Sequence, residues 1–122
     1  MDRSVVLVDD HVAFRSEARA TLEADGYRVL GEASTAAGAV VETARLRPAI
    51  VLLDIGLPDA SGLDVVGPVR DAAPGVIVVL ISSRRASDFG DRVIASGADG
   101  FLDKADLTAK ALSSLLARVA PT

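Results

Sequence analysis

Ile50-Val51-Leu52-Leu53-Asp54-Ile55-Gly56-Leu57-Pro58-Asp59-Ala60-Ser61-Gly62 is an apolar run that ends in a carboxylate and then breaks into turn residues. Val51, Leu52 and Leu53 read as a strand buried on both faces, because a parallel strand covered by helices carries continuous rather than alternating apolar residues. Asp54 falls where that strand leaves the core. Pro58, Asp59, Ser61 and Gly62 mark the loop beyond it, so the carboxylate rides on a rigid strand and opens into a solvent-reached crevice.

On either side of this stretch, strand and helix patterns alternate. Ser4 to Val8 is a β-branched strand that ends in Asp9-Asp10. From His11 to Ala24, Phe14, Ala18 and Leu22 recur at helical spacing, and Gly26 supplies the stop. Arg28 to Glu32 is a less apolar strand, expected near an edge. Thr35 to Leu46 reads as a helix carrying Ala36, Val40, Ala44 and Leu46, ended by Pro48. After the Asp54 loop a helix is expected from about Gly62 to Ala73, with Leu63, Val66 and Val69 toward the core. Pro68 inside it predicts a kink or a late start.

Val76 to Ile81 is the strongest strand and stops at Ser82-Ser83. Ala86 to Ser96 is expected to be helical through Phe89, Val93 and Ile94, although Gly90 weakens it by about 1 kcal/mol relative to alanine. A short strand near Gly100-Phe101-Leu102 leads to Asp103-Lys104. A last helix begins near Asp106, with Leu112, Leu115, Leu116 and Val119 at i, i+3, i+4, i+7.

Five strand-then-helix units with short connections predict an α/β fold, a parallel sheet covered by helices on both faces. In such sheets ligands bind outside the carboxyl ends of the strands. Asp9 and Asp10 follow strand one, Asp54 strand three, Ser82 strand four and Lys104 strand five. Taken singly, they would be a helix-capping pair, a turn aspartate, a strand exit and a surface lysine. Their shared position at one end of successive strands outweighs those readings. His11 beside two aspartates suggests a metal ligand, but is read as a first-turn helical residue.

Composition narrows the function classes. With 122 residues, half of them apolar, the whole chain 1–122 is expected to be one domain. A net charge of −4 and a pI near 4.8 argue against a nucleic-acid or membrane surface of its own. There is no cysteine, no apolar run long enough to span a membrane, and no signal sequence at Met1-Asp2-Arg3-Ser4; the expected location is the cytoplasm.

Val8-Asp9-Asp10-His11, Leu52-Leu53-Asp54-Ile55-Gly56-Leu57-Pro58 with Ser61-Gly62, Ile81-Ser82-Ser83 and Gly97 to Lys104 stand together in a family's order and spacing. The chain resembles the receiver domain of two-component response regulators (CheY-like superfamily) over nearly its whole length. That resemblance implies a doubly wound, flavodoxin-like sheet of strand order 2-1-3-4-5 with five helices. It implies Asp54 as phosphoacceptor from a sensor histidine kinase, a phosphotransfer protein or a small acyl phosphate. Mg²⁺ would be held by Asp10, Asp54 and the Gly56 backbone carbonyl, with Asp9 acting mainly through a metal-bound water. A divalent cation also suits three converging carboxylates on chemical grounds, since they repel unless neutralised.

The resemblance gives Lys104 and Ser82 to the phosphoryl oxygens and makes Ser82 and Phe101 the switch, with output through the face of helix four, strand five and helix five, where a homodimer could form. Phe101 is otherwise a core residue. Only self-phosphorylation and self-dephosphorylation are implied, not turnover of a separate substrate. Two departures stand out. Serine replaces the frequent threonine at 82, keeping the hydroxyl, and Ala105 replaces the proline that commonly follows the lysine, which leaves that loop's shape open. The chain ends at Pro121-Thr122 directly after helix five, so it reads as a stand-alone receiver or as one excised from a longer DNA-binding regulator. The competing readings are a Mg²⁺-dependent phosphohydrolase of the haloacid dehalogenase type and a degenerate receiver used only for binding. The first expects its nucleophile in an Asp-x-Asp motif on strand one; the second lacks a reason for the complete acidic set.

Overall fold

The computed structural model describes residues 2–119; the reading of the chain end at Pro121-Thr122 lies outside them. Five parallel strands, β1 (Ser4–Val8), β2 (Arg28–Ala33), β3 (Ile50–Asp54), β4 (Ile77–Ser82) and β5 (Gly100–Asp103), form one sheet of order β2-β1-β3-β4-β5. The helices are α1 (Val12–Ala24), α2 (Ala36–Leu46), α3 (Gly62–Ala72), α4 (Arg92–Ala95) and α5 (Ala109–Val119). The expected class and strand order are those observed. No helix among the described residues is long and apolar enough to cross a membrane.

Side-chain alternation along the strands divides the interior into two layers. Val6, Val8, Val51, Leu53, Val78 and Leu80 face α2 and α3, whereas Val5, Leu7, Ile50, Leu52, Val79 and Ile81 face α1 and α5. Every residue of β1 and β3 is buried, as their unbroken apolar runs require. β2 lies at the edge, and its pairing with β1 shifts register between Val5 and Val6.

Local chemistry sets the helix boundaries. Thr35 caps α2 by accepting from the Gly38 amide, and Arg47 leaves that helix in the left-handed region at φ 46°, ahead of Pro48. The inward stripe of α2 is Ala36, Ala39 and Thr43, with Val40 and Leu46 half-buried and Ala44 exposed. α3 starts on time and runs through Pro68. Gly67, Pro68 and Asp64 all lie on its exposed face, so water can reach the carbonyl that proline leaves unpaired, and Gly67 has no Cβ to oppose the ring.

The expected fourth helix is broken. Ala86–Phe89 makes a 3₁₀ turn, Gly90 takes φ +58°, and only Arg92–Ala95 is α-helical. An amphipathic helix draws its stability from a packed face, and neither short segment buries a residue. Phe89 and Val93 pack partly against the core, but Ile94 is 83% exposed rather than inward. α5 begins three residues late, because Lys104–Asp106 forms a 3₁₀ turn and Thr108 then accepts from the Ala111 amide. The Lys104-Ala105 bond is trans, and the Ala105 N–H, which a proline would lack, donates to Asp103 Oδ1 at 2.9 Å.

Candidate functional site

The carboxyl ends of β1, β3, β4 and β5 surround a crevice of about 260 Å³ lined by His11, Asp54, Gly56, Ser82, Phe89 and Lys104, among others. Asp54 closes β3 and is 3% exposed; Asp9 follows β1 and is fully buried. Lys104, from the end of β5, reaches both: its Nζ pairs closely with Asp9 Oδ2 and lies 3.4 Å from Asp54 Oδ2. The sheet thus brings together Asp9, Asp54, Ser82 and Lys104, with Asp10 at the more exposed rim. Phe101 is not in the crevice. It is half-buried behind it, its ring 6.4 Å from that of Phe89.

The loop after Asp54 is tightly built. Asp54 Oδ1 accepts from the Gly56 amide at 3.2 Å, and the Ile55 carbonyl accepts from both Leu57 and Gly62. Gly56 and Ser61 bridge across the loop, leaving Gly56 exposed, and Ser61 caps α3 through the Leu63 amide. Ser82 Oγ accepts from the Arg84 amide at 3.0 Å, which leaves its own O–H free to donate.

Burial and the nearby Asp9 charge push the Asp54 carboxyl above its ordinary range, against the opposing pull of Lys104 and the Gly56 amide. A carboxylate held this way gains from an added cation. Asp9 Oδ2 is buried, and although ion-paired with Lys104 it receives no aligned hydrogen bond. One ligand atom each from Asp9, Asp10, His11 and Asp54 lies within 4.8 Å of the others. Oxygen donors of this number and charge suit a small divalent cation that keeps part of its hydration shell, so the residues present fit Mg²⁺.

Some contacts that shape the site leave no trace in the periodicity of the chain. Arg15 donates from Nη1 to the Asp9 carbonyl at 2.5 Å and from Nε to Glu32 at 2.8 Å, tying the acidic loop to β2. The Lys104 ammonium sits 4.8 Å from the centre of the Phe14 ring, so a member of the helical repeat in α1 also holds the lysine. Asp59 accepts from the Ala36 and Ala37 amides, and these bonds hold its carboxyl below the usual range. The loop after Asp54 is thereby fastened to the start of α2. His11 sits one residue earlier than expected, at the N-cap of α1, with no side-chain bond to the helix.

The comparisons with known proteins agree with this geometry. The family model for the response regulator receiver domain matches residues 5–116. The KDP operon transcriptional regulatory protein KdpE of Escherichia coli is 37% identical over 103 residues, covering 83% of this chain and 44% of its own. The chain therefore spans about half the length of the curated relatives it matches. Among solved structures, the receiver domain of the response regulator NarL from Mycobacterium tuberculosis matches at 32% identity and TM-score 0.82, over 93% of this chain and 94% of that one. A Burkholderia pseudomallei response regulator bearing a phosphorylated aspartic acid and a calcium ion shares the fold at 22% identity and TM-score 0.83, over 94% of this chain and 66% of that one. A doubly wound sheet, an acidic cluster at its carboxyl edge and a match over most of the length have one common explanation: the chain belongs to the response regulator receiver domain family, and is a two-component signalling domain rather than a classical enzyme.

Proposed function

We propose that the domain, spanning 1–122, is a phosphorylation-activated switch in which Asp54 accepts a phosphoryl group from a sensor histidine kinase, a phosphotransfer protein or a small acyl phosphate. The observation that carries this reading is the bridging of two strand-end carboxylates, Asp9 and buried Asp54, by a lysine from a third strand. An Asp54 oxygen attacks phosphorus and forms a P–O bond. The P–N bond to the donor imidazole, or the P–O bond to the donor acyl group, breaks, and the donor leaves with that electron pair. Lys104 takes one phosphoryl oxygen, and the Ser82 hydroxyl donates to another.

Asp10, Asp54 and the Gly56 carbonyl would hold Mg²⁺, with Asp9 reaching it through water; the ion supplies charge neutralisation to the incoming phosphoryl group. Exposure to acetyl phosphate with Mg²⁺ is expected to add one phosphoryl group to the intact mass, lost in hydroxylamine or mild alkali; a stable adduct on serine would overturn the acyl-phosphate chemistry. Asp10→Ala is expected to weaken Mg²⁺ binding by about tenfold or more, because it removes one of two direct carboxylates. Unchanged affinity by calorimetric titration would place the metal elsewhere.

The output follows from local electrostatics. A phosphoryl group adds about −1.5 to −2 charge at Asp54 and draws the Ser82-Ser83 loop toward it. Phe101 then turns inward beside Phe89 and biases the packing of α4, β5 and α5, changing that face's affinity for a partner or a second copy. The short, weakly packed α4 makes this region easy to rearrange. Ser82→Ala is expected to permit phosphorylation while uncoupling it from this face. Equal amide shift changes around Phe89 and Phe101 in phosphorylated wild type and Ser82→Ala would exclude the hydroxyl as the link.

A further inference from the structure

Among the described residues, β2 supplies none to the lining of the crevice, yet it holds the residues that do the chemistry. Ala33, at its carboxyl end, accepts from the Asp9 amide at 3.0 Å, and Glu32 accepts from Arg15 Nε at 2.8 Å. Arg15, near the start of α1, then returns through Nη1 to the Asp9 carbonyl at 2.5 Å. That carbonyl lies in the planar peptide joining Asp9 to Asp10, so fixing its oxygen fixes the plane from which both Cα atoms depart. Ala33 holds the preceding peptide plane through the Asp9 amide. Both planes that flank Asp9 are therefore clamped. The clamp is braced in turn: Arg15 is only 16% exposed, and the second Glu32 oxygen lies 2.8 Å from Arg19 Nη2. A guanidinium donates to carboxylate and carbonyl from one rigid fork, whereas lysine offers a single point charge.

We infer that Arg15 is a positioning residue for the acidic pair, acting through the Asp9 carbonyl with Glu32 as its brace to hold Asp9 and Asp10 in the arrangement that receives a divalent cation. This rests on the crevice being the metal site of the proposed function. Glu32 offsets the Arg15 charge, so the contribution is one of direction rather than of neutralisation. Arg15 touches neither the phosphoacceptor nor the groups that take the phosphoryl oxygens, and its loss therefore shows in affinity for the ion and not in the transfer step.

The test measures Mg²⁺ affinity by calorimetric titration, and the Mg²⁺ dependence of labelling by acetyl phosphate, for the full chain, Arg15→Met and Arg15→Lys. Mg²⁺ affinity is expected to fall about tenfold or more in Arg15→Met, while the labelling rate at saturating Mg²⁺ stays within about twofold of wild type. Arg15→Lys keeps the charge but not the fork, and is expected to recover only part of the affinity. In the wild type, a guanidinium held on two sides is expected to give separate NMR signals for its two Nη groups, a measurement that needs no variant. One averaged signal would overturn the inference. So would unchanged affinity in Arg15→Met, full recovery in Arg15→Lys, or a labelling rate that stays depressed at saturating Mg²⁺. Wild-type protein that binds no Mg²⁺ would overturn the metal-site reading and the clamp together, whereas bound Mg²⁺ with unchanged variants overturns the clamp alone.

Discussion

Replacing Asp54 with asparagine is expected to abolish the mass gain from acetyl phosphate and, in the metal-free protein at neutral pH, to raise thermal stability. The first effect follows from removing the attacking oxygen: asparagine keeps the shape of the side chain but not its charge or nucleophilicity. The second follows from burial. Desolvation, then the Asp9 charge, lifts the Asp54 carboxyl above its ordinary value of 3.8 in the folded state. As pH rises past that value the unfolded chain ionises while the folded one resists, so the unfolded state binds fewer protons and stability falls. Asparagine does not ionise and escapes this loss. Its advantage over wild type in a chelator is therefore expected to be fully developed above the raised pKa and to vanish below about pH 3.8. Paired melts across that range check it. Retained phosphorylation would move the acceptor to another residue, and a less stable asparagine variant at pH 7 would mean that Lys104 fully compensates the buried charge.

Gly62→Ala is expected to be the most destabilising single-methyl change in the loop that carries the site. Gly62 is the first residue of α3 and is buried. A Cβ there would stand 2.9 Å from both the Asp54 carbonyl carbon and Ile55 Cα, and closer still to the Asp54 carbonyl oxygen. These are backbone atoms, which cannot rotate aside as a side chain can. Accommodation must break the Gly62 amide bond to the Ile55 carbonyl or push Asp54 away from Lys104. Overpacking against rigid atoms costs about 3 kcal/mol. Gly100→Ala is the control: there the nearest atoms to a Cβ are the methyls and Cγ of the Leu115 side chain rather than backbone. Urea midpoints are expected to fall much further for Gly62→Ala than for Gly100→Ala. A Gly62→Ala variant within about 1 kcal/mol of wild type would show that the loop is free to move.

Much of the scaffold was legible because it is written in local patterns. The apolar runs at Ser4–Val8 and Ile50–Asp54 are buried on both faces, and the stripes Ala18-Leu22, Leu63-Val66-Val69 and Leu112-Leu115-Leu116 are the packed faces of their helices. The convergence of Asp9, Asp54, Ser82 and Lys104 was legible too, since parallel strands with right-handed crossovers bring all their carboxyl ends to one edge.

Periodicity failed where packing rather than pattern decided the outcome. Phe89, Val93 and Ile94 have helical spacing, but Gly90 takes a positive φ and Ile94 finds no neighbour to cover it, so one expected helix became a 3₁₀ turn and a single α turn. Spacings within a few residues are enough to specify the α/β class, the parallel sheet and the edge at which its polar residues gather. Only the tertiary structure decided that Arg15 grips the Asp9 carbonyl, that Asp59 caps α2, that Phe14 lies beside the Lys104 ammonium and that His11 turns its Nδ1 toward two aspartates. Those contacts depend on rotamers and ångström-scale approaches set by the packed whole, and no spacing along the chain encodes them.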